Sequence, residues 1–163
     1  MKKISVYLSV NKGDIFKELT KRSSYTALAM RPDDNGGRQG WSDKIILSSD
    51  EYYWCEDKMK QVYCKVYDIL FAYASTTEKA FSDESENFVF RLLLDADSDM
   101  DVASVITNYI REAFVDYLLA EWFMERFPEK GVYLMSQYET VLTLLRVSLC
   151  RRRGRIRRPT SYL

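Results

Sequence analysis

Four aspartates, Asp95, Asp97, Asp99 and Asp101, stand at alternate positions directly after the apolar run FVFRLLL at 88–94. Carboxylates this close together are the raw material of a divalent-cation site. A calcium loop needs glycine at its sixth position and a bidentate acid at its twelfth. Counted from Asp95 these positions hold Met100 and Ile106, so that chemistry fails. The residues fit a solvated turn in which Asp99 or Asp101 caps the next helix, with the other carboxylates favouring its positive end.

The rest of the catalytic inventory is thin. The chain has no histidine, which removes the commonest general base and metal ligand and any Ser–His or Cys–His nucleophile. Glu112, Asp116, Glu121 and Glu125 offer carboxylate pairs on one predicted helix, where a solvated face accounts for them. The glycine-rich NGGRQG at 35–40 is not followed by Lys-Ser or Lys-Thr, so it is no phosphate loop. Cys55, Cys64 and Cys150 lack zinc-ligand spacing. The first two fall about 180° apart on a helix, and all three read as reduced, as in a cytoplasm. The expectation is a protein that is not an enzyme, with no cofactor and no metal.

The basic residues are more distinctive. Six of the eight residues at 151–158 are arginine: Arg151, Arg152, Arg153, Arg155, Arg157 and Arg158. The formal net charge is zero, yet residues 1–150 carry 18 basic against 24 acidic side chains. An acidic body with a basic tail points to a negatively charged partner, either nucleic acid or an acidic protein surface. No aromatic residue lies between the arginines, so contact with phosphate or a protein groove is favoured over base stacking. Ile156 and Tyr162 add apolar anchors to the arm.

Twelve tyrosines are present. Tyr52, Tyr53 and Trp54 are consecutive, so one helix cannot bury all three against one neighbour. Trp122 and Phe123 fall outside the main stripe of their predicted helix. Tyrosine and tryptophan are enriched in interfaces, and these five form a candidate set of interface aromatics, weighed evenly against a role in the core.

The elements follow from periodicity. ISVYLSV at 4–10 alternates strictly and reads as a half-buried strand. Asp14 is the expected cap of a following helix. Residues 31–43 hold three glycines and a proline and read as a loop, and KIIL at 44–47 as a short strand or lead-in. Ser48 and Glu51 have capping-box spacing ahead of a helix reaching about residue 75. Its stripe is Cys55, Met59, Val62, Tyr63, Val66, Ile69, Leu70 and Tyr73. TTEKAFSDESEN at 76–87 reads as a polar loop. FVFRLLL is β-prone and suited to pair with the first strand. A helix over 101–127, halted by Pro128, is apolar nearly all round from Leu118 and must be buried on two sides. A last helix over 132–151 ends at Gly154.

The expected fold class is mainly α. It is an antiparallel helical bundle with a small two- or three-stranded β element, forming one helical domain over 1–153, with an extended basic arm at 154–163. The opening MKKISVYLSV lacks the apolar core of a signal peptide. No apolar run approaches the ~20 residues of a membrane span.

Two resemblances enter on particular residues. A strand followed by Asp95-Ala96-Asp97 resembles the opening of haloacid dehalogenase-like phosphotransferases, but no alternating βα pattern surrounds it. More of the chain, in order, is covered by FVFRLLL, an acidic turn, YLLAEWFMERF, YETVLTLLRVSL and a basic end with RRP. This layout resembles small virion structural proteins of Bacteroidota phages and prophages, with Glu121-Trp122-Phe123 and the tail as its specific parts. The helical pattern is also similar to head–tail adaptor (neck or connector) proteins of tailed phages. The long loop at 31–43 departs from the pattern. The resemblance implies a non-enzymatic ring subunit of a virion, made in the bacterial host cytoplasm. Its partners would be other copies of itself, portal or tail subunits, and packaged DNA. The alternative is a small nucleic-acid-binding protein with the same arginines on phosphates.

Overall fold

The structure, a computed structural model, describes residues 3–29, 45–76, 79–95 and 101–150. The described chain is mainly helical, with four α-helices and a three-stranded antiparallel sheet. Strand β1 (Lys3–Asn11) pairs along its whole length with β3 (Asn87–Asp95), from Lys3 opposite Asp95 to Asn11 opposite Asn87. The short β2 (Phe81–Asp83) lies on the other side of β3, giving the order β1-β3-β2. Part of the segment read as a polar loop is therefore an edge strand. Its apolar contribution is one residue, Phe81, whose ring meets Phe90.

Helix α1 (Lys12–Ala29) follows β1 without a loop. Asn11 makes this possible. Its Oδ1 accepts the Asp14 N–H at 3.0 Å, and its Nδ2 donates to Asn87 Oδ1 at 3.1 Å. The cap is thus Asn11, not Asp14, because a side chain three residues before a free N–H closes the cap geometry. Ile15, Leu19, Ser23 and Ala27 form the buried edge. Lys12 is almost fully buried at this junction, with Nζ 2.6 Å from Asp83 Oδ1 and 4.7 Å from the centroid of the Phe88 ring.

Ser48 and Glu51 form the predicted capping box at a 3₁₀ turn, Ser49–Glu51. Helix α2 (Tyr52–Leu70) continues from it and passes into a second 3₁₀ turn, Phe71–Tyr73. Cys55, Met59, Val62, Val66 and Leu70 of the expected stripe are buried, while Tyr63 and Ile69 at its margins, and Tyr73 in the following turn, are half-buried. Residues 45–47 do not form a strand. Ile45 and Leu47 are instead plugged into the core, held by the Trp122 Nε1–H on Ile45 O (2.7 Å) and the Leu47 N–H on Ser23 Oγ (3.0 Å).

Helices α3 (Val102–Met124) and α4 (Pro128–Leu149) form an antiparallel hairpin, the most extensive helix pair in the fold. Pro128 does not simply halt α3, which has already ended at Met124. It opens α4 in the first turn, where its missing N–H costs nothing. The last helix accordingly starts four residues earlier than its apolar stripe implied. It ends at Leu149 with Cys150 at the C-cap, and Gly154, its expected terminator, lies outside the described residues.

Gly131 sets the approach of the two helices. A Cβ built there would lie 2.8 Å from both the Met124 N and Cα atoms and 3.2 Å from Ala120 O. These are backbone atoms and cannot swing aside. Gly131→Ala is therefore expected to destabilise the protein by about 1–3 kcal/mol, as overpacking does, despite alanine's better helix propensity. A shift of the urea midpoint with an unchanged slope checks this.

Candidate assembly interface

The candidate aromatics separate once the helices are placed. Trp122 and Phe123 are buried within the single chain, with 6% and 0% of their surface exposed. They cannot serve as surface anchors. They lie outside one stripe of α3 because α3 is covered on more than one side. The Trp122 ring meets Trp54 edge-on at 5.4 Å, and the Arg126 guanidinium lies 3.5 Å from its centroid. Tyr52 packs edge-on against Phe16 at 5.2 Å. Of the five, Tyr53 is the surface ring, 80% exposed.

The arm residues Arg151, Arg152, Arg153, Arg155, Ile156, Arg157, Arg158 and Tyr162 lie outside the described residues, as do Asp97 and Asp99. Asp101 occupies the N-cap position of α3, but its side chain makes no capping hydrogen bond. Among the described residues, no group of three or more His, Cys, Asp and Glu is placed to hold a metal ion. No described helix is long and apolar enough to cross a membrane.

The carboxylates of α3 are not a solvated face. Arg22 of α1 reaches across to them. Its Nε donates to Glu18 (2.9 Å), one terminal nitrogen to Glu112 (2.8 Å) and the other to Asp116 (3.4 Å). Asp116 is buried, and the loss of water pushes its carboxyl up to about 6 against the pull of Arg22. Glu18, hydrogen-bonded to Arg22, is instead held below its ordinary value. Lys58 and Glu121 make a second bridge at 2.6 Å, between α2 and α3. These carboxylates join helices. Burial likewise pushes the Cys55 thiol up to about 12, leaving it protonated and inert at neutral pH.

Tyr7, Tyr25, Leu28 and Phe71 are exposed on other elements, and a longer open apolar surface among the described residues is the outer side of α4. Its inner side, with Leu134, Tyr138, Leu142, Leu145 and Leu149, is buried on α3 and the core. Its outer side presents Val132 (61% exposed), Tyr133, Leu144 and Val147 (61% exposed), with Ser136, Thr140 and Thr143 between them. No charged residue falls within this face from Val132 to Val147; Glu139 and Arg146 border it along one edge. The Thr140 and Thr143 hydroxyls donate back to the carbonyls of Ser136 and Glu139 at 2.9 and 3.0 Å. Both are satisfied without water, so covering them costs little. A cleft of about 700 Å³ lined by Arg126, Phe127, Pro128, Glu129, Lys130 and Tyr133 adjoins the N-terminal end of the helix.

Sequence reasoning passed over this face because its apolar residues are few and mixed with serine and threonine. The available signal was the absence of charge on the outer side of a helix whose inner side already carried a full apolar stripe. No protein family, curated protein or solved structure matches the chain.

Two consequences are measurable. Trp122→Ala removes a buried ring and its hydrogen bond, and is expected to cost about 3–5 kcal/mol of stability. Tyr53→Ala is expected to change stability by less than about 0.5 kcal/mol. Chemical unfolding of the two variants separates a core ring from a surface ring. Asp116 gives a pH signature. Its folded carboxyl titrates near pH 6, above the unfolded value, so folding favours its protonated form. That contribution is complete below about pH 4 and lost as pH rises through 6. Stability should therefore rise by about 1 kcal/mol from pH 7 to pH 5. Asp116→Asn should flatten this rise, while the opposite effect of Glu18 appears only below that window.

Proposed function

We propose that the chain is a non-catalytic structural subunit of a phage particle, of the head–tail connector kind. It associates with copies of itself and with neighbouring virion proteins such as portal or tail subunits. The observation that carries the reading is the uncharged outer face of α4, which leads at its C-terminal end into the arginine run at 151–158. A monomer has little reason to keep valine, leucine and tyrosine on the outer side of a helix whose inner side already fills the core. The run of six arginines supplies charge for a contact with an acidic neighbour or with packaged DNA. The layout of strand, acidic turn, long helix, last helix and basic end supports the phage assignment by resemblance. The abundance of acid in residues 1–150 supports contacts between one copy's arginines and another copy's body.

The nucleic-acid reading rests on the same arginines, and the two diverge on removal of 151–163. In cells producing the particles, the full chain is expected in the purified particles. Val147→Glu is expected to reduce its incorporation about tenfold without changing its unfolding midpoint. The truncated chain is expected to lose assembly, whether or not DNA affinity falls with it. Truncation that leaves assembly intact but abolishes DNA binding, with a log–log salt slope near −5, would establish the nucleic-acid protein instead. A chain that stays monomeric at every concentration and never enters particles overturns the structural reading.

A further inference from the structure

We propose that two copies of the free protein pair antiparallel along the outer face of α4, about a two-fold axis that sets Glu139 of each copy beside Arg146 of the other. The proposal rests on the reading of this face as an association surface and names its first occupant, a second copy of the chain. It concerns the protein before assembly. A ring requires a different, head-to-tail contact.

The spacing along the face is that of a coiled-coil seam. Tyr133, Ser136, Thr140, Thr143 and Val147 follow one another at intervals of three and four, and all five are exposed; beyond them the Cys150 thiol turns to the Tyr73 hydroxyl at 3.3 Å. That 3.5-residue repeat keeps a seam in register with a partner helix over its full length. Its centre is small, so two helix axes can approach closely. The threonine hydroxyls are folded back onto their own helix, leaving their methyl groups to meet the partner.

Charge selects the direction. Glu139 and Arg146 are seven residues apart, so they occupy equivalent positions on one border of the seam. Both are exposed, and no ion pair joins either to another described residue. Antiparallel pairing brings like borders together and makes two symmetric Glu139–Arg146 contacts. Parallel pairing makes neither. It would instead bring the two arginine runs, which follow the C-terminal end of each α4, to the same end of the pair. Antiparallel pairing sets the C-terminal ends of the two 22-residue helices about 33 Å apart at 1.5 Å per residue. That distance is several Debye lengths at physiological salt. The seam covers one side of one helix and falls below the size of a standard stable interface. The pair is therefore weak and exchangeable, with dissociation in the micromolar range.

Sedimentation equilibrium of the full chain, from about one to several hundred micromolar at low salt, tests the pair. A reversible dimer is expected, and Val147→Glu should abolish it. Glu139→Arg and Arg146→Glu should each weaken it about tenfold, since each turns two exposed attractions into repulsions. The double variant should return to within about threefold of the parent. All three positions are exposed, so the unfolding midpoints should stay together. A dimer in which the double variant is no tighter than the single ones overturns the antiparallel pair, while particle incorporation still judges the association surface. A monomer at every concentration also overturns the pair. Loss of particle incorporation in Val147→Glu without any dimer would then leave the face to a different protein.

Discussion

Helix α3 is apolar nearly all the way round, and no single neighbour can keep water from it. From Ala113 to Phe123 every residue but Tyr117 and Glu121 is buried. The cost of exposing such a helix, roughly 25 cal/mol per Å² of apolar surface, makes its enclosure the condition on which the fold rests. α4 covers it along one side, approaching to backbone contact at Gly131. The sheet meets it where Phe88 stacks on Phe114 at 4.9 Å. Trp54 of α2 meets Trp122, and Ile45 receives the Trp122 indole N–H. Three carboxylates of α3 are fixed by the same enclosure. Glu112 and Asp116 fall against α1 and are joined by Arg22, while Glu121 falls against α2 and is joined by Lys58.

The other elements follow from their place around this helix. β1 and α1 run together without a loop because Asn11 serves both as the last strand residue and as the helix cap. Lys12 then ties the start of α1 to the β2–β3 hairpin through Asp83, with its stem shielded by the surrounding core. A buried amine held by one short ion pair and an aromatic face adds little net stability. What it contributes is position, since its amine lies between Asp83 of the hairpin at 2.6 Å and Glu56 of α2 at 4.0 Å.

α4 is the last element on α3 and has no layer outside it among the described residues. It is therefore the helix whose outer side is free to vary with function rather than with folding. α2 carries Asp57, Lys60, Lys65 and Asp68 on its exposed side. α4 carries valine, threonine, tyrosine and leucine there. The two helices are alike inside and differ outside. The proposed association surface and the arginine run that follows it are consecutive in the chain, so one contact can use both.

Much of the fold was legible in the sequence. The strict alternation of residues 4–10 and the β-prone 88–94 define two strands that do pair. The capping box at Ser48 and Glu51 marks the start of α2, and the stripe from Cys55 to Leu70 is its buried side. These features are local: a strand's period of two and a helix's period of 3.6 are properties of the backbone. Tertiary structure decided which of several possible surfaces each side chain would meet. Trp122 and Phe123 looked like surplus aromatics because one helix was read against one neighbour. Asp116 looked solvated because its partner, Arg22, lies 94 residues away. Asn11 rather than Asp14 became the cap because β3 fixed the direction in which the chain enters α1. The outer face of α4 acquired meaning only when its inner face was seen to be fully occupied. Periodicity records how a segment repeats along itself, whereas burial depends on what the rest of the chain places beside it, and that is settled only by packing.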